Sequence, residues 1–366
     1  MNGRPLLHSS YGSDMALLDT RAKKVAAGAI VAVALLLPLL LTDEVLQLLA
    51  LCCVAAIGAI GLNLVTGFAG QVSLGHAFFL AIGAYTGAVI SGAQGGRVIG
   101  FGITDILIWL PVAGLVAAAA GVLVAPLATR LRGLYLAIVT LGLVFIGQHL
   151  FNEWAALTGG VGVGRPAPTL ELFGQRLDVT DAVGTRDQKL FWLMLLLLLA
   201  FAVPARNLAR SRVGRAFAAI RDRDVAAGVI GVNLAGYKTL AFAISSFYAG
   251  CAGALLFTIS GFMDPSSFSL LLSVQYIAMV LIGGAGTISG AIAGAFFITL
   301  LPRLTRELQA WVPFLSTQPN EVPNVFQVET ILYGALIIVF LIFEPRGLFG
   351  LWVRARNYWK AWPFSY

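Results

Sequence analysis

Long apolar stretches alternate with short polar ones along almost the whole chain. The stretch from Val45 to Gly96 contains no Asp, Glu, Lys or Arg. A helix that crosses a bilayer needs about 20 apolar residues, so this stretch alone predicts two membrane spans. Apolar stretches of this kind occur along the whole chain. They predict ten membrane spans, at 25–42, 45–66, 70–92, 106–128, 133–151, 189–204, 238–260, 268–285, 286–302 and 325–343.

The pattern predicts an all-α fold, namely a polytopic integral membrane protein with about ten transmembrane helices, and 8 to 10 fit the sequence. The sixth window is short for a span, and Glu329 lies near one end of the last window. Two crossings must also fit between residues 268 and 302, on either side of the glycine-rich turn GGAGTISG. The pattern therefore predicts the class of fold, and these three features limit the predicted number of spans to 8 to 10.

Lys and Arg are distributed unevenly between the two sides of this layout. With both termini cytoplasmic, the cytoplasmic segments hold 17 of the 24 Lys and Arg but 5 of the 17 acidic residues. Cytoplasmic loops of membrane proteins carry the excess of Lys and Arg, so we predict that both termini are cytoplasmic. The predicted units are a cytoplasmic tail at 1–24, a transmembrane domain at 25–345 with a cytoplasmic segment at 205–237 and an extracytoplasmic loop at 152–188, and a basic, aromatic tail at 346–366.

Composition supports the membrane setting and excludes other classes of protein. Hydrophobic residues make up 59% of the chain, charged residues make up 11%, and the mean hydropathy is +0.89, which is far outside the range of soluble domains. The formal net charge of +7 is spread between apolar stretches rather than gathered in a basic patch, so nucleic acid is not a predicted partner. Cys52, Cys53 and Cys251 lie within apolar stretches without the spacing of metal ligands, so we predict no metal site.

One apolar stretch is interrupted by polar residues and glycines in the sequence GFAGQVSLGHAFF, residues 67–79. Polar side chains and irregular backbone at membrane depth occur only where protein or a water-filled cavity surrounds them. Ser73 and His76 would share one face of a continuous helix, whereas a break at the glycines would aim backbone groups into a cavity, as in many transporters. Bonding to neighbouring helices is the alternative role for these side chains. The residues predicted to border a translocation pathway are Asn63, Gly67, Gly70, Gln71, Ser73, Gly75 and His76.

Glycines recur at the spacing that lets membrane helices approach closely. Lipid gives helices little hydrophobic reason to associate, so small residues four apart allow tight van der Waals packing instead. The residues predicted to pack helices are Gly83, Gly87, Gly283, Gly284, Gly286, Gly290 and Gly294.

The longest polar interruption on the predicted cytoplasmic side is RSRVGRAFAAIRDRDVAAGVIGVNLAGYK, residues 210–238. A modest apolar stripe, made of Ala216, Ala219, Ile220, Ala226, Ala227 and Ile230, runs beside charged residues. Short amphipathic helices of this kind dock on other proteins, and an ordinary solvated loop that sets orientation is the alternative. The residues predicted to dock are Gly214, Arg215, Ala219, Arg221, Asp222, Asp224, Gly231 and Asn233.

The chain lacks the motifs of an ATPase or a hydrolase. A P-loop needs a Gly-Lys pair to cradle phosphates, and no Gly-Lys dipeptide occurs anywhere in the sequence. A nucleophile elbow, a zinc-binding helix motif and a paired catalytic carboxylate are absent as well. We therefore predict that the chain is not an enzyme and holds no cofactor of its own.

Four stretches resemble the permease subunits of branched-chain amino acid ABC importers, of the LivM type. They are GLNLVTGFAGQVSLGHAFFLAIGAY at 61–85, GRAFAAIRDRDVAAGVIGVNLAGYKTLAFAIS at 214–245, LIGGAGTISGAIAGAF at 281–296 and EPRGLFG at 344–350. All four occur in the order that the family has, which makes the resemblance specific. The two tails and residues 152–188 lie outside it.

The resemblance implies a heteromeric importer of the bacterial cytoplasmic membrane, surrounded by membrane lipid. Its implied partners are a second homologous permease, two cytosolic ABC ATPases that bind ATP and Mg, and an extracytoplasmic solute-binding protein. The segment that matches 214–234 looks like the coupling element that sits in a cleft of the ATPase. The implied activity is uptake of an aliphatic amino acid by alternating access. Urea or other amides as the solute, an ion-coupled secondary transporter and a membrane scaffold without transport activity are the alternatives.

Overall fold

The computed structural model is predominantly helical and describes residues 25, 28, 34–131, 133–167, 170–177, 179–181, 184–309, 325–344 and 346–361. The predicted tail at 1–24, residues 26, 27 and 29–33 of the predicted span at 25–42, residues 310–324 and residues 362–366 lie outside the described residues. The helices are α1 Asp43–Asn63, α2 His76–Ser91, α3 Ile106–Arg130, α4 Leu134–Glu153, α5 Ala155–Thr158, α6 Arg186–Arg210, α7 Arg212–Val229, α8 Leu234–Ser260, α9 Leu270–Gly283, α10 Ile288–Gln309, α11 Val325–Phe343 and α12 Gly347–Ala361.

Six segments in the described part of the chain are long and apolar enough to cross a membrane: Asp43–Phe68, Ile106–Arg130, Leu134–Glu153, Arg186–Arg210, Leu234–Ser260 and Pro265–Gly283. Three shorter apolar helices, His76–Ser91, Ile288–Leu304 and Thr330–Phe340, fall in three further predicted windows. The prediction of a helical, multi-pass membrane protein is therefore confirmed. The number of spans and the side on which the termini lie stay predictions.

Helix α8 is the centre of the bundle, where it packs against α3, α2 and α1. Its buried face consists largely of small residues, including Ala249, Gly250 and Gly253. Gly83 of α2 lies directly against the backbone of Gly250, and Gly253 lies against the backbone of Leu80. Side chains larger than hydrogen would hold these backbones apart, so the glycines set the distance between α2 and α8.

Helices α9 and α10 form a tight hairpin around the turn at 284–287. Gly283 lies against the backbone of Gly290 and Gly294, so the two helices touch without intervening side chains. Gly284 and Gly286 in the turn have φ values of 116° and 80°, which residues with a Cβ rarely adopt. This hairpin shows how two helices fit into the stretch where the sequence predicts two spans, at 268–285 and 286–302.

The loops at 92–105, 154–185 and 261–269 meet at one end of the bundle, which we call the β end. Four strands of two residues lie there, and β1 Arg165–Pro166 pairs antiparallel with β4 Phe262–Met263. The other two strands, β2 Glu171–Leu172 and β3 Gln175–Arg176, form a hairpin. The opposite end, which we call the α7 end, contains α7, the turn at 284–287 and the start of α12.

Asp264 joins two loops of the β end. Its carboxylate accepts hydrogen bonds from the backbone N–H of Ser266 and of Gly162, each at 2.8 Å. Hydrogen bonds from Ser266 hold the pKa of the Asp264 carboxyl below its usual range. The stability that the ionised Asp264 carboxylate gives to the folded state is therefore complete above the ordinary pKa of an aspartate. It is lost as the pH falls through the lowered pKa.

Arg165 organises the β end from a buried position, with 2% of its surface exposed. Its Nη2 donates to the carbonyls of Ala88 at 2.6 Å and Ile99 at 3.1 Å, and its Nη1 donates to the carbonyl of Leu157 at 2.9 Å. The Ala88 carbonyl is at the C-terminal end of α2, where a cation is stabilised by the helix dipole. One guanidinium thus joins α2, the following loop and α5, although burial lowers the pKa of Arg165.

The Arg165→Met variant should destabilise the β end, because three carbonyls would lose a charged donor. Removing a charged hydrogen-bond donor from buried partners costs about 2–3 kcal/mol, so the melting temperature in detergent should fall by several degrees. Arg165→Lys should recover only part of the loss, since an ammonium lacks the fork of a guanidinium. Arg356→Met, at an exposed site on α12, is the matched control. Equal melting temperatures for both methionine variants would contradict this role.

Candidate functional site

The polar segment at 67–79 is a break between two helices. Helix α1 passes into a π-helical turn at Leu64–Phe68, and α2 begins only at His76. Gly70 in the gap has a φ of 67°, which favours glycine. The gap explains why α2 has 16 residues where the window at 70–92 predicted a longer helix. Because Ser73 lies in the non-helical gap, the alternative in which Ser73 and His76 share a helix face does not apply.

The backbone of this gap is satisfied by side chains from other helices. The N–H of Leu74 donates to Oγ1 of Thr140 on α4 at 2.9 Å, and the N–H of Ala77 donates to Oγ of Ser273 on α9 at 3.0 Å. An unpaired backbone group at membrane depth would cost several kcal/mol. Thr140 and Ser273 are thus positioning residues that sequence reasoning missed. In the sequence, each of them was visible only as a residue with a hydroxyl group within a predicted apolar span.

The three polar side chains predicted to border the pathway, Gln71, Ser73 and His76, make different contacts around the gap. Gln71 bonds locally, with its Nε2 donating to the carbonyl of Ala69 at 3.2 Å. The hydroxyl of Ser73 accepts from the N–H of Gly75 at 3.4 Å. His76 is 2% exposed, and its Nε2 has no hydrogen-bond partner within the described part of the chain. Its ring lies against that of Tyr276 on α9, with 4.9 Å between the ring centroids.

Asn63 fixes the π-helical turn to the α9–α10 hairpin. Its Nδ2 donates to the carbonyl of Thr287 at 2.9 Å, and its Oδ1 accepts from the N–H of Gly286 at 2.8 Å. The side chain is completely buried, so both ends of the amide are used within the protein. Asn63 therefore braces the helix break from the side of the hairpin turn.

Arg221 on α7 contacts the same break. Its Nη1 donates to the carbonyl of Gly67 at 3.0 Å. Gly70 packs against the Arg221 side chain so closely that a Cβ at residue 70 would lie 2.7 Å from Cγ of Arg221. Gly286 also lies beside the guanidinium. The two segments that stood out separately in the sequence, the polar gap and the charged helix, thus meet at one point.

Helix α7 has two dissimilar halves. In the first half Gly214, Phe217 and Ile220 are buried, whereas in the second half most residues from Val225 onward are exposed and Ala227 is buried. The backbone leaves helical geometry at Arg223, with φ of −156° and ψ of 100°. The predicted stripe is therefore buried only in part: Ala216, Ile220 and Ala227 are buried, whereas Ala226 and Ile230 are exposed. The exposed apolar patch, which we call the α7 patch, consists of Val225, Ala226, Val229 and Ile230.

The other residues of the predicted docking segment have local roles or lie at the surface. Gly231 has a φ of 87° in the turn after α7. Asn233 caps α8, since its Oδ1 accepts from the N–H of Gly236 at 3.0 Å. Asp224 lies 3.7 Å from the buried ammonium of Lys238 and so fixes the end of α7 to α8. The exposed or partly exposed members are Arg215, Ala219 and Asp222.

Apolar helices, a braced helix break and a charged helix in contact with it together define a multi-pass membrane protein of the permease class. The chain belongs to the family of branched-chain amino acid transport system permease components, whose sequence profile matches residues 44–341. The resemblance found in the sequence is thereby confirmed. Membership of a permease family is typical of a transport subunit that is not an enzyme.

Known relatives cover most of the chain. It is 31% identical over 352 residues to the high-affinity branched-chain amino acid transport system permease protein LivM of Escherichia coli strain K12, an alignment that covers 90% of this chain and 76% of that protein. The LivM protein of Salmonella typhimurium strain LT2 matches equally, at 31% identity over the same shares. The autoinducer 2 import system permease protein LsrC of Klebsiella pneumoniae is 38% identical over 113 residues, 30% of this chain. No solved structure matches the chain.

Proposed function

We propose that this chain is a transmembrane permease subunit of an ATP-driven ABC importer and that it moves branched-chain, aliphatic amino acids into the cytoplasm. The names of the two LivM relatives support the solute class. The observation that carries the mechanism is the hydrogen bond from Arg221 to the carbonyl of Gly67, because it joins the charged helix α7 to the helix break. A force applied to α7 would reach the break directly.

In the proposed mechanism, partner ATPases push on α7 when they close around ATP. The α7 patch is the docking surface, since its apolar side chains are exposed although they belong to a short helix beside charged residues. Arg221 transmits the movement to the π-helical turn, and the bundle rearranges around the break to expose the solute to each side in turn. Close glycine contacts allow helices to shift as rigid bodies.

The contacts between connecting loops support the proposed topology of ten spans with both termini inside. Successive helices in the described part of the chain join alternately at the β end and at the α7 end, as spans that cross in turn would do. The connection between α3 and α4 is at the α7 end, because its Gly133 lines a cavity of about 200 Å³ together with Arg221. Gly284 lies against the carbonyl of Arg346, just before α12. In this topology the α7 end is cytoplasmic and the β end is extracytoplasmic, in a bacterial inner membrane.

The proposed partners are a second homologous permease, two cytosolic ABC ATPases and an extracytoplasmic solute-binding protein. ATP and Mg bind to the ATPases in this assembly. The proposal predicts that cells with the complete importer take up L-leucine, and that replacing the P-loop lysine of the ATPases abolishes this uptake. Excess urea should leave leucine uptake unchanged. Uptake that survives the lysine replacement would contradict the proposal, and uptake that urea blocks would favour an amide as the solute.

A further inference from the structure

A cavity of about 760 Å³ opens at the β end, between α1, α8 and α10. Glu44 in the first turn of α1 and Ser260 at the end of α8 lie at its mouth. Arg303 of α10 lines another side. The cavity is thus on the opposite end of the bundle from α7 and separate from the contact between Arg221 and Gly67.

A second, smaller cavity of about 170 Å³ adjoins the first on the side of the middle of the bundle. The two share Leu51, Leu256, Thr299 and Pro302 among their lining residues. The smaller one reaches Tyr276, whose ring lies against that of His76 at the start of α2. The two adjoining cavities therefore extend from the β end to the ring of Tyr276, which borders the helix break.

The lining of the larger cavity combines one charge of each sign with an aliphatic floor. Among the described residues that line it, Glu44 is the one acid and Arg303 the one base. Leu48, Leu51 and Leu256 belong to the same lining. Its volume is within the range of about 300–1,000 Å³ that is usual for small-molecule sites.

These features match the three parts of an aliphatic amino acid. A guanidinium binds a carboxylate through two parallel hydrogen bonds, a glutamate accepts from an ammonium, and leucine side chains bury an aliphatic group. We propose that this cavity is the entry site of the pathway, where Arg303 holds the carboxylate and Glu44 the ammonium of a zwitterionic solute. The inference rests on the proposed function and deepens it, since an uncharged amide would use neither charge.

A first experiment tests the site without requiring transport. In intact cells that produce the full chain, the Ser260→Cys variant, at an exposed position of the cavity lining, should react with an external, membrane-impermeant methanethiosulfonate. L-leucine should slow the reaction several-fold, whereas leucinamide, which lacks the carboxylate, and 4-methyl-2-oxopentanoate, which lacks the ammonium, should slow it much less. Ile338→Cys, at an exposed apolar site on α11, is the control that should not react. Absence of reaction at residue 260, or equal protection by all three compounds, would overturn the proposal.

A second experiment measures the two charges in the assembled importer. Arg303→Gln and Glu44→Gln should each raise the KM for L-leucine about tenfold, the loss expected for one charged hydrogen-bond partner, with little change in kcat. Glu153→Gln, at an exposed site at the end of α4, should leave the KM unchanged. A KM within twofold of the unaltered protein in both variants would overturn the assignment. Failure of the unaltered complex to take up leucine would instead reject the proposed function, and the protection experiment would still decide the site.

Discussion

The Gly83→Leu variant should yield almost no folded protein. Gly83 lies against the backbone of Gly250, so any side chain at residue 83 would overlap the main chain of α8. A backbone in a central helix cannot move aside as the tip of a side chain can, and overpacking of this kind costs at least about 3 kcal/mol. Since α8 also packs against α1 and α3, a shift in α8 would disturb the whole bundle.

Gly142→Leu is the matched control for this prediction. Gly142 lies in α4, also within an apolar helix, and nothing is within 4 Å of the place that its Cβ would take. Size-exclusion chromatography of detergent-extracted protein should give a monodisperse peak for the Gly142 variant and aggregate for the Gly83 variant. A monodisperse Gly83→Leu protein at normal yield would mean that α2 and α8 are not in contact as described.

The second large effect is expected for Arg221→Glu, which should reduce leucine uptake by the importer at least about a hundredfold. The substitution removes the hydrogen bond to the carbonyl of Gly67 and places a carboxylate at the C-terminal end of a helix, where negative charge is unfavourable. Losing the donor and adding the repulsion would together cost about 3 kcal/mol or more. The α7 patch is unchanged, so the ATPases should still co-purify and hydrolyse ATP without transport.

Arg212→Glu makes the same change of charge at an exposed position of the same helix. Residue 212 begins α7, where a negative charge is compatible with the helix dipole, and it has no contact with the helix break. Uptake by this variant should remain close to normal. If Arg221→Glu transports leucine as fast as Arg212→Glu does, the contact between Arg221 and Gly67 does not couple α7 to the pathway. If it releases the ATPases, Arg221 belongs to the docking surface.

Local sequence carried enough information to predict the helices and the break. Glycines at 67, 70 and 75 among polar residues identify the place where α1 and α2 separate, because such residues weaken a helix at membrane depth. The turn GGAGTISG likewise indicates the α9–α10 hairpin, and its Gly284 and Gly286 adopt the positive φ that glycine favours. Both features depend on residues close together in the chain.

The partners of these residues could not be predicted, because they lie far apart in the sequence. Ala77 bonds Ser273 across 196 residues, and Arg221 bonds Gly67 across 154 residues. Arg165 was missed because it lies in a glycine-rich loop without helical or strand periodicity. The apolar stripe predicted along α7 is buried only in part, because the backbone leaves helical geometry at Arg223, and Ala226 and Ile230 beyond it are exposed. A single sequence read by itself contains no signal for such contacts.

The central claim is that this chain provides the membrane pathway while separate ATPases provide the energy. Its most direct test is the accumulation of L-leucine in proteoliposomes that contain either the purified chain alone or the complete importer with ATP. The claim predicts accumulation against a gradient only with the complete importer, and none by the chain alone under a proton or sodium gradient. Concentrative uptake by the chain alone would contradict it.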